Sequence, residues 1–346
     1  MARLQLRAVA GLLLAAAASA LLSLADASSP TSAAAEDAAA RAFAAFALRE
    51  GRAYSSEAER ALRAATFARN MARAAAHNAR NASWTMGATP FADLSAEEFA
   101  ARVARGGVRR ERAARPSRLR PMSPPAPPPA SVDWVARGAV SPVGDEGQCG
   151  ACWAWAAAGA IEGAGFVAAG GGAPLVEASI QELLDCASGN QGCNGGMADL
   201  AFQWAVSNKG VASADAYPYT GQGGACRATS VPNSIAVSGF KDVPPNSELA
   251  LEAAIAQQPV AVVVEADQSV FQLYTGGVMD SACGANVDHA MLAVGYGTDG
   301  GKTFYTLKNE WSAAWGEKGY IRIGRGAKFN PAGQCGVQVA PSIVEA

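Results

Sequence analysis

The sequence predicts an α+β protein, and three stretches carry that prediction. Residues 36–78 are rich in Ala, Arg and Glu, with Phe43, Phe46, Leu62 and Phe67 as the larger apolar residues, and read as two helices broken near Gly51. The run from Trp153-Ala154-Trp155 to Ile161-Glu162 reads as a helix with Cys152 near its start. The apolar, partly β-branched run Ala290-Met291-Leu292-Ala293-Val294 reads as a strand that begins at His289. With 346 residues, half of them hydrophobic, the chain can bury a substantial core in one large or two medium domains.

At the N-terminus, Arg3 and Arg7 precede an apolar run over residues 8–24 and then Ala25-Asp26-Ala27. A basic region, an apolar region and a small-x-small site make residues 1–27 an expected signal peptide. No other segment is long and apolar enough to span a bilayer. The mature protein is therefore expected in the secretory pathway, lysosomal or endosomal or secreted, where disulfides persist and no stable membrane association remains.

Charge divides the rest of the chain. Residues 28–127 hold 16 Arg, no Lys and 9 acidic residues, whereas residues 128–346 hold 10 basic and 20 acidic ones. The net charges of +7 and −10 predict that the first part docks on the second. The arginines are spread through a helical pattern and not gathered on a bare tail, which argues against a nucleic-acid partner. Between the parts lies Pro121-Met122-Ser123-Pro124-Pro125-Ala126-Pro127-Pro128-Pro129, which must be an extended, exposed linker open to proteolytic cleavage. Asn81, in Asn-Ala-Ser, is a candidate glycosylation acceptor.

Seven cysteines leave one unpaired in an oxidising compartment, and Cys152 in Gln148-Cys149-Gly150-Ala151-Cys152-Trp153 is the candidate. A thiolate near a helix start is favoured by the dipole, and a nearby imidazolium would hold it ionised. His289, one of only two histidines, is the only one in the C-terminal two-thirds of the chain. A redox Cys-x-x-Cys pair would need a preceding strand, but Ser141 to Gly147 read as a loop. A zinc site would need two more ligands at similar spacing, and Cys186 and Cys193 are seven apart with no histidine near. No metal and no cofactor are expected.

Glu59, Arg63, Phe67, Asn70, Ala74 and Asn78 follow at intervals of 4, 4, 3, 4 and 4, which keeps them near one helical stripe. Together with Gly87-Ala88-Thr89-Pro90-Phe91-Ala92-Asp93, this resembles the propeptide of papain-like cysteine proteases, with only Ala74 departing from the interspersed Glu-Arg-Phe-Asn-Ile-Asn pattern. Cys149-Gly150-Ala151-Cys152-Trp153 is similar to the same family's nucleophile motif. Asp288-His289-Ala290 and Asn309-Glu310-Trp311 are similar to its histidine and asparagine motifs. Val132-Asp133-Trp134, Tyr217-Pro218-Tyr219 and Tyr274-Thr275-Gly276-Gly277-Val278-Met279 resemble the cathepsin L-like branch of the kinetoplastid cruzipain type.

The resemblance implies a papain-like two-domain fold, with a helical left domain, a β-barrel-like right domain and the cleft between them. It places an inhibitory propeptide over residues 28–127 and a peptidase domain over residues 128–346. It implies a zymogen of a cysteine endopeptidase in which Cys152 attacks, His289 shuttles the proton, Asn309 orients the imidazole and Trp311 shields that bond. It implies backbone hydrogen bonds to an extended substrate from Gly195 and Gly196, and a place for Asp288 beside the substrate. The S2 pocket would have Met197, Ala198, Val263 and Val287 as walls and Ala340 as base, favouring Leu, Phe or Val at P2. Six cysteines allow fifteen pairings that spacing cannot sort. The family pattern implies Cys149–Cys193, Cys186–Cys226 and Cys283–Cys335. Expected partners are peptide and protein substrates, the protein's own propeptide and cystatin-like or chagasin-like inhibitors, with the mature chain a monomer.

Two residues depart from that pattern. Glu146 stands where the family places an oxyanion-stabilising Gln, and an ionised carboxylate offers no donor there. Glu310 replaces the usual Ser, while Ser312 and Ala314 replace glycines. Either the enzyme works only where Glu146 is protonated, with an acidic optimum, or the chain is a catalytically impaired papain-fold protein that binds peptides or inhibitors.

Overall fold

A computed structural model describes residues 30–105, 107–108, 128–280, 283–326 and 328–346. The expected signal peptide and most of the proline-rich linker lie outside the described residues. The chain divides into two compact units, Met1–Arg69 and Asn70–Ala346.

In the first unit, helix α1 (Pro30–Arg49) is followed by the start of helix α2 (Glu57–Asn78). Gly51 between them takes φ +60°, a left-handed conformation that costs glycine nothing and ends α1. Ser56 Oγ accepts from the Glu59 N–H (3.1 Å), and the Glu59 carboxylate accepts from the Ser55 N–H (2.7 Å), so side chains satisfy the open donors at the start of α2. Phe43, Phe46 and Phe67 are buried together, with the Phe67 ring centroid 5.7 Å from Phe43 and 4.9 Å from Phe46.

The second unit opens on the rest of α2, strand β1 (Trp84–Met86) and helix α3 (Ala96–Arg105). The next elements are a short strand β2 (Val132–Asp133) and three helices, α4 (Cys152–Ala168), α5 (Ile180–Cys186) and α6 (Ala198–Ser207). Strands dominate from there: β3 (Gly239–Asp242), β4 (Val260–Val264), β5 (Tyr274–Met279), β6 (His289–Asp299), β7 (Lys302–Lys308), β8 (Tyr320–Gly324) and β9 (Ser342–Glu345). Helices α7 (Glu248–Ile255) and α8 (Ser269–Gln272) interrupt them. This separation of helices from strands is the predicted α+β class.

The sheet runs β1-β5-β8-β7-β6-β4-β9-β3, and β2 pairs separately with β6. Helix α4 is buried from Cys152 to Ala164 except at the part-exposed Trp155, and it is built largely from Ala and Gly, which lets it lie close against the sheet. A Cβ on Gly159 would come within 2.6 Å of Leu292 on β6, and one on Gly163 within 2.5 Å of the Pro259 ring. That close approach sets the start of α4, and so Cys152, beside the start of β6, and so His289.

Candidate active site

Cys152 is the first residue of α4, is 2% exposed and takes part in none of the disulfides. The loop before it is fixed by the Cys149–Cys193 disulfide and by Gly150 N–H donating to Cys193 O at 3.1 Å. The other disulfides are Cys186–Cys226 and Cys283–Cys335. Ala151 supplies no side-chain cap, so no protein oxygen of the capping residue competes for the first N–H groups of α4.

His289 opens β6, and β4 holds it in register by pairing Val264 with it. Its Nε2 lies 2.8 Å from Asn309 Oδ1, which can only accept, so Nε2 carries the hydrogen. Glu310 N–H donates to the same Oδ1 at 3.1 Å. The Trp311 ring covers the imidazole, with centroids 4.7 Å apart, and is itself 4% exposed. Asn309 and Trp311 are thus both brought to His289.

Glu310, which stands where the family pattern has Ser, has its carboxyl buried against the histidine. It is 3% exposed, with Oε1 3.1 Å from His289 Nε2. That oxygen accepts no well-directed hydrogen bond, because the Nε2 hydrogen is aimed at Asn309. Burial alone would lower the pKa of His289, but Glu310 and Cys152 outweigh it and raise it well above the ordinary histidine range. Burial pushes the Glu310 carboxyl up, and His289 and Lys308 offset only part of that. Burial likewise pushes the Cys152 thiol up; His289 pulls it down, while Glu146 and Glu310 push it further up.

Glu146 is half-buried beside this group. Its Oε2 accepts from Ala151 N–H at 3.0 Å and its Oε1 from Trp311 Nε1 at 3.2 Å. Glu146 N–H donates to Glu310 O at 2.9 Å, which ties the two acid-bearing loops together. Burial, then repulsion from Glu310, pushes the Glu146 carboxyl up to about 8, although His289, Trp311 and Ala151 favour the anion. The departure in sequence is therefore accompanied by an environment that keeps this carboxyl protonated through neutral pH.

Met197, Ala198, Val263 and Val287 are buried in one apolar cluster, with Ala340 packed on its edge. Gly195 and Gly196 lie buried immediately before Met197, and Gly195 O accepts from Gln191 N–H at 3.0 Å. Asp288 is 5% exposed, and its carboxyl accepts from Ala266 N–H at 2.8 Å. Burial raises that carboxyl to about 6.

Residues of the N-terminal region reach the same place, among them Arg102 and Val108, which the sequence did not single out. Val108 joins the apolar cluster and donates its N–H to Asp288 O at 3.1 Å. Arg102 donates to Gly147 O at 2.6 Å, lies over the Phe91 ring and lines, with Val103, a small cavity shared with Glu146, Cys152 and His289. Phe91 and Phe99 pack edge-on against Trp311, at 5.2 and 5.6 Å between centroids. Neither Arg102 nor Val108 stands out in sequence, because each is one of many Arg or small apolar residues and only the folded path brings it to the cleft.

Comparison with known proteins shows the family. The papain family of cysteine proteases matches residues 128–344, and the cathepsin propeptide inhibitor domain (I29) matches residues 43–99. The chain is 40% identical over 298 residues to the senescence-specific cysteine protease SAG39 of Oryza sativa subsp. japonica, covering 84% of this chain and 86% of that one. It is 38% identical over 273 residues to the cysteine proteinase RD21A of Arabidopsis thaliana, covering 77% of this chain but spanning only 57% of that protein's length. The solved precursor of recombinant stem bromelain superposes with a TM-score of 0.80 at 35% identity, over 88% of this chain and 98% of that one. The chain belongs to the papain family of cysteine proteases and carries that family's inhibitory propeptide domain.

Proposed function

We propose that the protein is made as an inactive precursor of a cysteine endopeptidase that hydrolyses peptide bonds through Cys152, His289 and Asn309. The observation that carries this reading is the alignment of His289 Nε2 on Asn309 Oδ1 at 2.8 Å, with Cys152 at the adjoining helix start. The Cys152 thiolate attacks the peptide carbonyl carbon and forms a C–S bond, leaving negative charge on the oxygen. The His289 imidazolium gives its proton to the leaving amine as the C–N bond breaks. Water, giving a proton to His289, then cleaves the acyl-enzyme and returns the thiolate.

Glu146, whose carboxyl burial and Glu310 push up to about 8 in the precursor, supplies when protonated the hydrogen-bond donor that the family draws from Gln. Activity on this reading spans acidic and neutral pH and fails on the alkaline side. Val108 in the apolar cluster supports an S2 pocket formed by Met197, Ala198, Val263, Val287 and Ala340 that takes Leu, Phe or Val. The substrate runs along Gly195 and Gly196 and past Asp288. The propeptide occupies the cleft until it is cut in the linker before residue 128, and cystatin-like or chagasin-like proteins inhibit the mature monomer.

No helix among the described residues is long and apolar enough to cross a membrane, which fits a secretory, lysosomal or endosomal protein. The cathepsin L-like assignment of kinetoplastid type rests on the motifs around Val132, Tyr217 and Tyr274 alone, since the curated relatives above are plant proteins. The alternative of a non-catalytic peptide binder gains no support from relatives that carry protease names. The test is hydrolysis of fluorogenic peptides with Leu, Phe or Arg at P2 by the acid-activated full-length chain, from about pH 4 to 9. Turnover of the Leu and Phe peptides that Cys152→Ala abolishes is expected. A folded, processed wild type with no turnover at any pH would refute the proposal.

A further inference from the structure

Asn81, which the proposed peptidase chemistry leaves unused, opens the only Asn-x-Ser/Thr sequence of the chain. No asparagine from residue 128 onward is followed two positions later by Ser or Thr, so the acceptor for an N-linked sugar lies in the N-terminal region. Asn81 stands in the turn between α2 and β1, where it is exposed and takes φ +51°. That left-handed conformation is one that Asn tolerates better than most residues.

The residues on either side are tied down. Asn78 Nδ2 donates to Met86 O, and Asn78 Oδ1 accepts from Met86 N–H, each at 2.9 Å. Two residues after Asn81, Ser83 Oγ lies 2.8 Å from Val278 O and 2.8 Å from Asp280 Oδ1, and Ser83 O accepts from Val278 N–H at 2.9 Å. The Asp280 carboxylate also holds Lys302 Nζ at 2.6 Å and Lys328 Nζ at 3.0 Å, which fixes it as an acceptor for the Ser83 hydroxyl. The turn thus presents Asn81 at the surface, where a bulky polar group displaces none of these contacts. The hydroxyl that completes the acceptor sequence, in contrast, is bonded to β5 and to Asp280 just beyond it.

We propose that Asn81 carries an N-linked oligosaccharide, attached before β1 docks on β5, and that the sugar belongs to the precursor alone because it departs with the N-terminal region. In the transfer, Asn81 Nδ2 bonds to the anomeric carbon of an oligosaccharide carried on a polyprenyl pyrophosphate. The bond from that carbon to the pyrophosphate oxygen breaks, the lipid pyrophosphate leaves, and one Nδ2 hydrogen departs as a proton. The transferring enzyme must read the Ser83 hydroxyl, which the docked strand has already engaged, so the reaction precedes docking. A mannose-binding lectin then recognises the precursor and the released N-terminal region, and passes over the peptidase. The proposal rests on the proposed secretory route and on no step of peptide hydrolysis.

The full-length chain, in a Cys152→Ala background that cannot process itself, is expressed in a eukaryotic secretory host, once with its own residues 1–27 and once with a leader of the host in their place. Disulfide-bonded chain from cells and medium together is treated with a peptide N-glycosidase. The precursor is expected to gain mobility by one glycan, and the peptidase region cut away in the linker by an added protease to stay unmoved. Asn81→Asp, which suits the left-handed turn and leaves the Ser83 contacts in place, and Ser83→Ala are both expected to abolish the shift. Ser83→Thr is expected to keep it. Precursor refolded from bacteria is offered to the solubilised transferring enzyme with its lipid-linked donor, and is expected to be modified only after reduction and unfolding. No shift in the disulfide-bonded precursor made with the host leader, or a shift that survives Asn81→Asp, would overturn the proposal. Equal modification of folded and unfolded chain would overturn the order of events. A shift with the host leader but not with residues 1–27 would uphold the acceptor site and refute the secretory route instead.

Discussion

Two acidic residues decide how this active site differs from its family pattern, and their effects on a pH profile have separable signs. Glu146 donates only when protonated, and burial and Glu310 push its carboxyl up to about 8 with the N-terminal region in place, so the donor is present at acidic pH and lost as pH rises through that carboxyl's titration. Glu146→Gln is therefore expected to change kcat little at acidic and neutral pH. Well above pH 8 it is expected to exceed the wild type by about 10²–10³, the usual worth of one oxyanion donor. A wild type and Glu146→Gln that fall together above pH 8 would remove Glu146 from the oxyanion hole. Glu310 acts on the ion pair, since it raises the pKa of both His289 and Cys152. In Glu310→Ser both should fall: the thiolate then forms at lower pH, and the imidazolium is lost at lower pH. The whole bell of kcat/KM is expected to move to the acid side, and an alkaline shift would contradict the placement of Glu310 against His289.

At the scale of elements, the N-terminal region binds as secondary structure and not as a loose tail. Strand β1 pairs antiparallel with β5 and extends the sheet by one strand. Helix α2 presents Asn70, whose Nδ2 donates to Ala92 O at 2.8 Å and to Leu94 O at 2.9 Å. Its Asn78 exchanges two hydrogen bonds with Met86, each at 2.9 Å. Gln272 at the end of α8 donates to Phe91 O (3.0 Å) and Leu94 O (2.8 Å), and so grips the turn that carries Phe91 to Trp311. Asn70→Ala leaves the Ala92 carbonyl without that donor, at a cost of about 1–3 kcal/mol to this turn. The precursor is expected to mature faster and to leak more activity at neutral pH than wild type. Unchanged maturation kinetics would show that the turn does not control propeptide docking.

Over the whole molecule, the net charges of +7 on residues 28–127 and −10 on residues 128–346 favour association of the two parts. Arg73 reaches the hydroxyl of Ser269 at 2.7 Å, and Arg102 the carbonyl of Gly147, both neutral acceptors. Lower pH protonates the acidic peptidase region and weakens that attraction, which is the proposed route to release of the propeptide. Stability carries its own pH signature. The carboxyls of Glu146 and Asp288 titrate in the folded protein near 8 and 6, above their ordinary values, so the folded state holds more protons than the unfolded state in between. Their contribution is fully present below about pH 4 and is lost as pH rises through 6 and then 8. Thermal melts of Cys152→Ala, which cannot process itself, are expected to show a falling Tm over that window. Adding Glu146→Gln should flatten the upper part of the fall, and identical curves would place the Glu146 titration elsewhere.

The sequence by itself determined what is local or arithmetical. The two N-terminal helices and their break at Gly51, the helix that begins at Cys152 and the strand that begins at His289 follow from periodicity and turn chemistry. An odd cysteine count and a single histidine in the peptidase region singled out the proposed reacting pair, because one thiol is left over and no second imidazole competes. Only the tertiary structure decided that Glu310 faces the imidazole and not solvent, that Glu146 is held near Ala151 and Trp311, and that Val108 and Arg102 enter the cleft. Those outcomes depend on how tightly α4 packs on β6 and on where distant loops are tied to each other. Burial and the distance between charges then set the protonation of the site, and neither quantity is a property of a linear sequence.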